Sequence, residues 1–138
     1  MKEYKINILS DYDNVAKVNN AMSNFLDSEG IEQHILHAFD ICIMESVNNV
    51  IKHSYKDVKD KNIEIVLKLD TKLIELQIID EGEPRSKFEI TDLNYDPKDI
   101  NNLPESGMGL FIIKQLMDEL SYCSQNGKNY FTLKKWLY

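Results

Sequence analysis

Four polar residues, Glu45, Asn49, Lys52 and His53, occupy positions i, i+4, i+7 and i+8 of the stretch ESVNNVIKHSY, so a helix places them on one face. Burying such groups without partners costs about 1–3 kcal/mol each for neutral side chains on mutational scales, and more for a charge. Their place in an otherwise apolar helix therefore asks for a ligand or for solvent, and an isolated E-x-x-x-N pattern fits a solvated stripe as well. A second constellation, Asp80-Glu81-Gly82-Glu83-Pro84, follows the apolar run LIELQII. A carboxylate at a strand end can point into a cleft and accept from the exocyclic amine of a base, while Gly82 allows close approach of backbone to a ligand. The same residue types also make ordinary turns. The third, Ser106-Gly107-Met108-Gly109, precedes a strong helical pattern. Free N–H groups and the positive dipole end of a helix form an anion site there, and glycines clear the way for a phosphate. Neither GxxxxGK[ST] nor GxGxxG is present. Each signal alone is weak, but they stand in one order, each at an element boundary where a nucleotide site can be assembled.

The elements that must position these groups are legible from periodicity. YKINIL (4–9) alternates as a strand. Ser10 with Asp13 resembles a capping box for a helix carrying the stripe Val15, Val18, Met22, Phe25 and Leu26, which Gly30 ends. From about Glu32 to Ser54 a second, more apolar helix is expected, largely covered. His34, His37 and Asp40 on it could mimic a metal face, although a solvated helix end is the preferred reading. The charged connection DVKDK (57–61) leads to strands 63–69 and 73–79 joined by Asp70-Thr71-Lys72. Residues 81–106 lack periodicity and hold all three prolines, the mark of a functional lid or of a disordered segment. MGLFIIKQLMDEL then forms a helix with Leu110, Ile113, Leu116, Met117 and Leu120 on one face, and LSYCS and YFTLKKWLY flank an Asn126-Gly127 hairpin turn. This order predicts an α+β two-layer sandwich with helices on one face of a mixed, mostly antiparallel sheet.

A chain of 138 residues is the length of one ordinary domain, and residues 1–138 read as a single unit. Its net charge of -7 offers no footprint for nucleic acid or an anionic membrane and favours a neutral or basic protein partner. The two cysteines, Cys42 and Cys123, have neither CxxC nor zinc spacing and read as reduced thiols. No apolar run approaches the roughly 20 residues that span a bilayer, and MKEYKINILSDYD lacks a signal core. A soluble cytoplasmic protein is expected.

The joint pattern resembles the histidine-kinase-like (GHKL, Bergerat-fold) ATPases, and within them the anti-sigma-factor serine/threonine kinases of partner-switching systems. ESVNNVIKHSY is similar to that branch's N-box through Glu45, Asn49, His53 and Tyr55. IIDEGEP resembles the first glycine box, ESGMGLFIIKQLMDELSY the second with its helix, and YFTLKKWL the terminal strand. The resemblance implies ATP and Mg²⁺ as cofactors, with Asn49 offering its amide oxygen to Mg²⁺. It makes Glu45 the general base that deprotonates a substrate serine. It assigns nucleotide contacts to Lys52, Asp80, Gly82, Ser106, Gly107, Met108, Gly109 and Thr132, and an ATP lid to approximately 81–106. Pro84 departs from it, standing where many relatives have a second glycine.

The implied function is a kinase that holds a sigma factor and phosphorylates a serine of a STAS-type anti-sigma-factor antagonist, as a homodimer joined through its N-terminal strand and first helix. Lys17 is a possible partner contact, with no direct binding of nucleic acid or membrane. The alternative is a non-catalytic ATP-binding module that switches partners. Glu45 speaks against it, because binding alone needs Asn49 and Asp80 but no base.

Overall fold

The computed structural model describes residues 1–84 and 108–137. Strand β1 (Lys2–Leu9) leads through a 3₁₀ turn (Tyr12–Asn14) into α1 (Val15–Ser28) and α2 (Gln33–Asn49). A π-helical turn, Val50–Ser54, extends α2 before β2 (Asn62–Leu69) and β3 (Leu73–Asp80). Helix α3 (Met108–Leu116) is followed by β4 (Glu119–Gln125) and β5 (Lys128–Trp136). The five strands form one sheet in the order β1-β2-β3-β5-β4, and all its pairings are antiparallel. Helices and sheet form the expected α+β two-layer arrangement.

Strand alternation divides the sheet into two faces. Ile63, Ile65, Leu67, Ile74, Leu76, Ile78 and Leu133 turn to the helices and are fully buried, each contributing about 1.5–3 kcal/mol. On α2, Phe39, Ile43 and Val47 meet them, and α2 contacts both α1 and α3. On the other face Lys68, Glu75, Lys134 and Glu119 form a cross-strand series of ion pairs at 3.4–4.0 Å. The sheet is therefore core on one side and charged on the other.

Several local expectations hold and two shift. Gly30, at φ +77°, closes α1 with Ile31 N–H on the Leu26 carbonyl and Gly30 N–H on that of Asp27. Asn126 and Gly127 both take positive φ in the two-residue β4–β5 turn. Ser10, by contrast, does not cap α1. Asp11 accepts the Asp13 N–H, whereas the buried Ser10 hydroxyl donates to the Val58 carbonyl (2.7 Å) and accepts the Lys61 N–H (3.0 Å). Helix α3 stops at Leu116, because Asp118 N–H bonds the Lys134 carbonyl and its carboxylate takes the Trp136 N–H, drawing Leu120 into β4. The metal-like face of α2 is solvated: His34 and His37 are exposed, and Asp40 instead accepts the Ser23 hydroxyl and, through its carbonyl, the Asn19 amide.

Candidate functional site

At the C-terminal end of α2 a small cleft is lined by Ser46, Asn49, Val50, Ser54, Asp80, Leu110, Tyr122 and Phe131. Helices α2 and α3, the π turn and three strands contribute, so the site exists only when the two layers are closed. Its apolar lining with a few convergent polar groups is the usual make-up of a small-molecule site.

Two of those polar groups have no partner. The Ser46 hydroxyl and the Asn49 Nδ2 are buried atoms without a hydrogen bond, and Ser46 is only 1% exposed. Each such group costs about 1–3 kcal/mol when left unmet, a cost that a bound polar ligand removes. The other orphan among the described residues, Asn19 Oδ1, does not line the cleft. Across from Asn49, Asp80 is 3% exposed, and its Oδ1 accepts from Gly82 N–H and from Asn129 Nδ2, both at 2.8 Å.

The strand end is tied to the helix end. A Cβ on Gly82 would stand 2.7 Å from the Ser54 carbonyl carbon and 2.9 Å from its Cβ, so only glycine allows this approach. Glu83 N–H bonds the Ser54 carbonyl at 2.9 Å. Tyr55 completes the junction, its hydroxyl donating to the Asn62 carbonyl (2.6 Å) and accepting Glu81 N–H (2.8 Å). Burial pushes the Tyr55 phenol above its usual range. The π turn makes this contact possible: Tyr55 N–H reaches back five residues to the Val50 carbonyl, a widened last turn of the kind that recurs at functional sites.

Of the residues predicted for the site, Asn49 and Asp80 meet across the cleft, and Gly82 packs against Ser54 instead of opening to a ligand. Met108 and Gly109 open α3, whose Leu110 lines the cleft, while Ser106 and Gly107 lie outside the described residues, as does most of the expected lid. Glu45 is half-buried one turn before Asn49 but is not part of the lining, and Lys52 is exposed on the π turn. Thr132 requires a correction. It pairs with Gln77 on the charged face of the sheet, where its hydroxyl accepts the Gln77 amide at 3.1 Å, so the sheet separates it from the cleft.

The residue of β5 that does reach the site is Asn129, which the sequence reading missed. Its amide also donates to the Gly82 carbonyl (3.0 Å) and accepts the Ser124 hydroxyl (2.6 Å). The signal was available in the alternation: Phe131 and Leu133 are core-facing, so Asn129 shares their face and Thr132 cannot. Ser46 was equally legible, three residues before Asn49 on the same helix.

A two-layer α+β fold with such a cleft between an amide-bearing helix and an Asp-x-Gly strand end defines a nucleotide-binding class. The chain belongs to the histidine kinase-like ATPase domain family, which matches it over residues 8–135. Among curated relatives it is similar to the serine-protein kinase RsbW of Oceanobacillus iheyensis, 27% identical over 131 residues that cover 91% of this chain and 80% of the relative. RsbW of Bacillus mycoides is 29% identical over 131 residues, covering 91% and 78%. Among solved structures, the RsbU and RsbW domains from Mycobacterium tuberculosis align with a TM-score of 0.69 at 18% identity. That alignment covers 98% of this chain and 32% of the other, so this chain spans about a third of that protein. The SiaB-SiaC complex from Pseudomonas aeruginosa gives 0.65 at 14% identity, covering 96% and 89%. These two likenesses concern the fold. Among the described residues no helix is long and apolar enough to cross a membrane.

Proposed function

We propose that this chain is an ATP- and Mg²⁺-dependent serine/threonine protein kinase that acts as an anti-sigma factor, phosphorylating a serine of a STAS-type antagonist. The observation that carries the reading is the meeting of Asn49, with its unpartnered buried amide, and Asp80 across one cleft. The kinship with relatives named serine-protein kinase supports it.

The donor set fits Mg²⁺. Among the described residues no group of three or more His, Cys, Asp or Glu is placed to hold a metal. A hard cation held by one protein oxygen together with substrate phosphates needs no such cage. Asn49 Oδ1 would supply that oxygen, and the ion would neutralise charge on the phosphates. In this reading Asp80 accepts from the adenine amine, and the helix start at Met108 and Gly109, with Ser106 and Gly107 before it, receives phosphate oxygens. The segment 81–106 serves as the lid. Glu45 takes the proton of the attacking serine hydroxyl as its oxygen bonds to the γ-phosphorus and ADP departs. Homodimer formation and sequestration of a sigma factor belong to the same proposal.

A second reading, a non-catalytic ATP-binding switch, is favoured by one observation: Glu45 is not in the cleft lining. The experiment that decides is incubation of the chain with ATP, Mg²⁺ and the cognate antagonist, followed by detection of phosphoserine. Transfer is expected in the wild type and is lost in Glu45→Gln, with ATP affinity within about twofold, because a carboxylate-to-amide change removes the base but little volume. ATP binding without transfer to any antagonist overturns the kinase reading in favour of the switch.

A further inference from the structure

Asn129 is an unexpected residue for its place. It faces the core between strands, 2% exposed, in a row where Phe131 and Leu133 follow on the same face. A buried amide must recover its desolvation cost through hydrogen bonds, and this one uses both of its donors and one of its two acceptor positions. Asp80 lies directly opposite it on β3, and Ser124 directly opposite on β4. The Nδ2 hydrogens go to Asp80 Oδ1 at 2.8 Å and the Gly82 carbonyl at 3.0 Å, and Oδ1 accepts the Ser124 hydroxyl at 2.6 Å. Because Asp80 and the Gly82 carbonyl are acceptors, only the NH₂ end of the amide can face them, and Ser124 holds the oxygen end away. A flipped amide would set oxygen against oxygen on two sides.

We infer that Asn129, locked by Ser124, is a positioning residue that fixes the plane and the accepting character of the Asp80 carboxylate and thereby sets the preference for adenine over guanine. This rests on the assignment of Asp80 to the adenine amine made above. With Oδ1 receiving both the Gly82 N–H and the Asn129 amide, the carboxylate cannot rotate without losing two hydrogen bonds to a charged group. Adenine presents an amine donor at its sixth ring position and guanine a carbonyl acceptor there. A fixed acceptor oxygen rewards the first and repels the second. A carboxylate that turns loses this discrimination.

The test measures Kd for ATP and for GTP, each with Mg²⁺, by calorimetry on the full chain and on two variants. Asn129→Asp is isosteric and replaces the two-hydrogen amide by a carboxyl group with at most one hydrogen to donate, so at least one of the two donated bonds is lost. ATP affinity is expected to fall about 10- to 100-fold, the value of one or two hydrogen bonds to a charged group, while GTP binding changes little and the ATP/GTP preference collapses. Ser124→Ala removes one hydroxyl from an exposed edge-strand residue, so the fold persists, and is expected to lower the preference about threefold or more. A purely structural role for Asn129 would lower the unfolding midpoint and leave the preference of the folded protein unchanged. An unchanged preference in Ser124→Ala overturns the inference, whether or not Asn129→Asp folds. Failure of the wild type to bind ATP overturns the ATP-site reading itself, which is a different result from wild-type binding with an unaltered preference.

Discussion

Asn49 carries opposite demands. Its Nδ2 is buried without a partner in the nucleotide-free chain, which costs about 1–3 kcal/mol, yet its oxygen is the group we assign to Mg²⁺. Replacing it by alanine removes the unmet donor along with the ligand. Asn49→Ala is therefore expected to leave the stability of the free protein unchanged or raise it by about 0.5–1 kcal/mol in a urea titration. The same variant should lose at least about tenfold in affinity for Mg-ATP. A clear loss of stability would mean that the amide is a structural group and not a site held ready for a ligand. At this scale the sequence was partly readable. Asn49 and Asp80 could be named because each combines an unusual residue type with an element boundary. Thr132 carries a fitting residue type at the wrong parity of its strand, where a one-residue step exchanges cleft for solvent.

The junction between the π turn and the end of β3 decides whether those residues meet. Gly82 presses on the backbone of Ser54, where a Cβ would come within 2.7 Å of the carbonyl carbon, and neither partner is a flexible side chain that can move aside. Gly82→Ala is expected to destabilise the protein by about 1–3 kcal/mol, the usual cost of overpacking, and to weaken ATP binding more than its stability loss explains. Urea unfolding and calorimetry on the same preparation separate the two effects, and wild-type affinity in a destabilised variant would show that the junction does not shape the site. Element types were legible here because α2 and the β2–β3 hairpin have long, regular apolar periods. The π turn was not, since the residues VIKHS continue the helical pattern and the change from i+4 to i+5 bonding is set by the strand end that docks against it. The role of Ser10 was hidden for the same reason: its partners, Val58 and Lys61, are about fifty residues away in the chain.

For the molecule as a whole, closure of the helix layer on the sheet can be followed through one thiol. Cys42 is fully buried on α2 in the core, while Cys123 is exposed on the edge strand β4. Burial pushes the Cys42 thiol from 9.0 up to about 12, with Glu45 adding to the rise and Lys135 opposing it. The folded chain then keeps a proton that the unfolded chain releases above pH 9, so the unfolded state binds fewer protons and stability falls as pH rises. Below pH 9 both states hold the proton and the contribution is constant. Between pH 9 and 10 the wild type should lose about 1 kcal/mol more stability than Cys42→Ala, because one proton corresponds to about 1.4 kcal/mol per pH unit at full difference. Tyr12 and Tyr55 are also raised, from 10.0, so they add to the fall in both proteins equally and cancel in the difference between them. Urea midpoints at pH 8, 9 and 10 for the two proteins measure the difference. Parallel slopes would place Cys42 in contact with water, and the closed packing of α2 on the sheet, on which the position of Asn49 against Asp80 depends, would have to be abandoned.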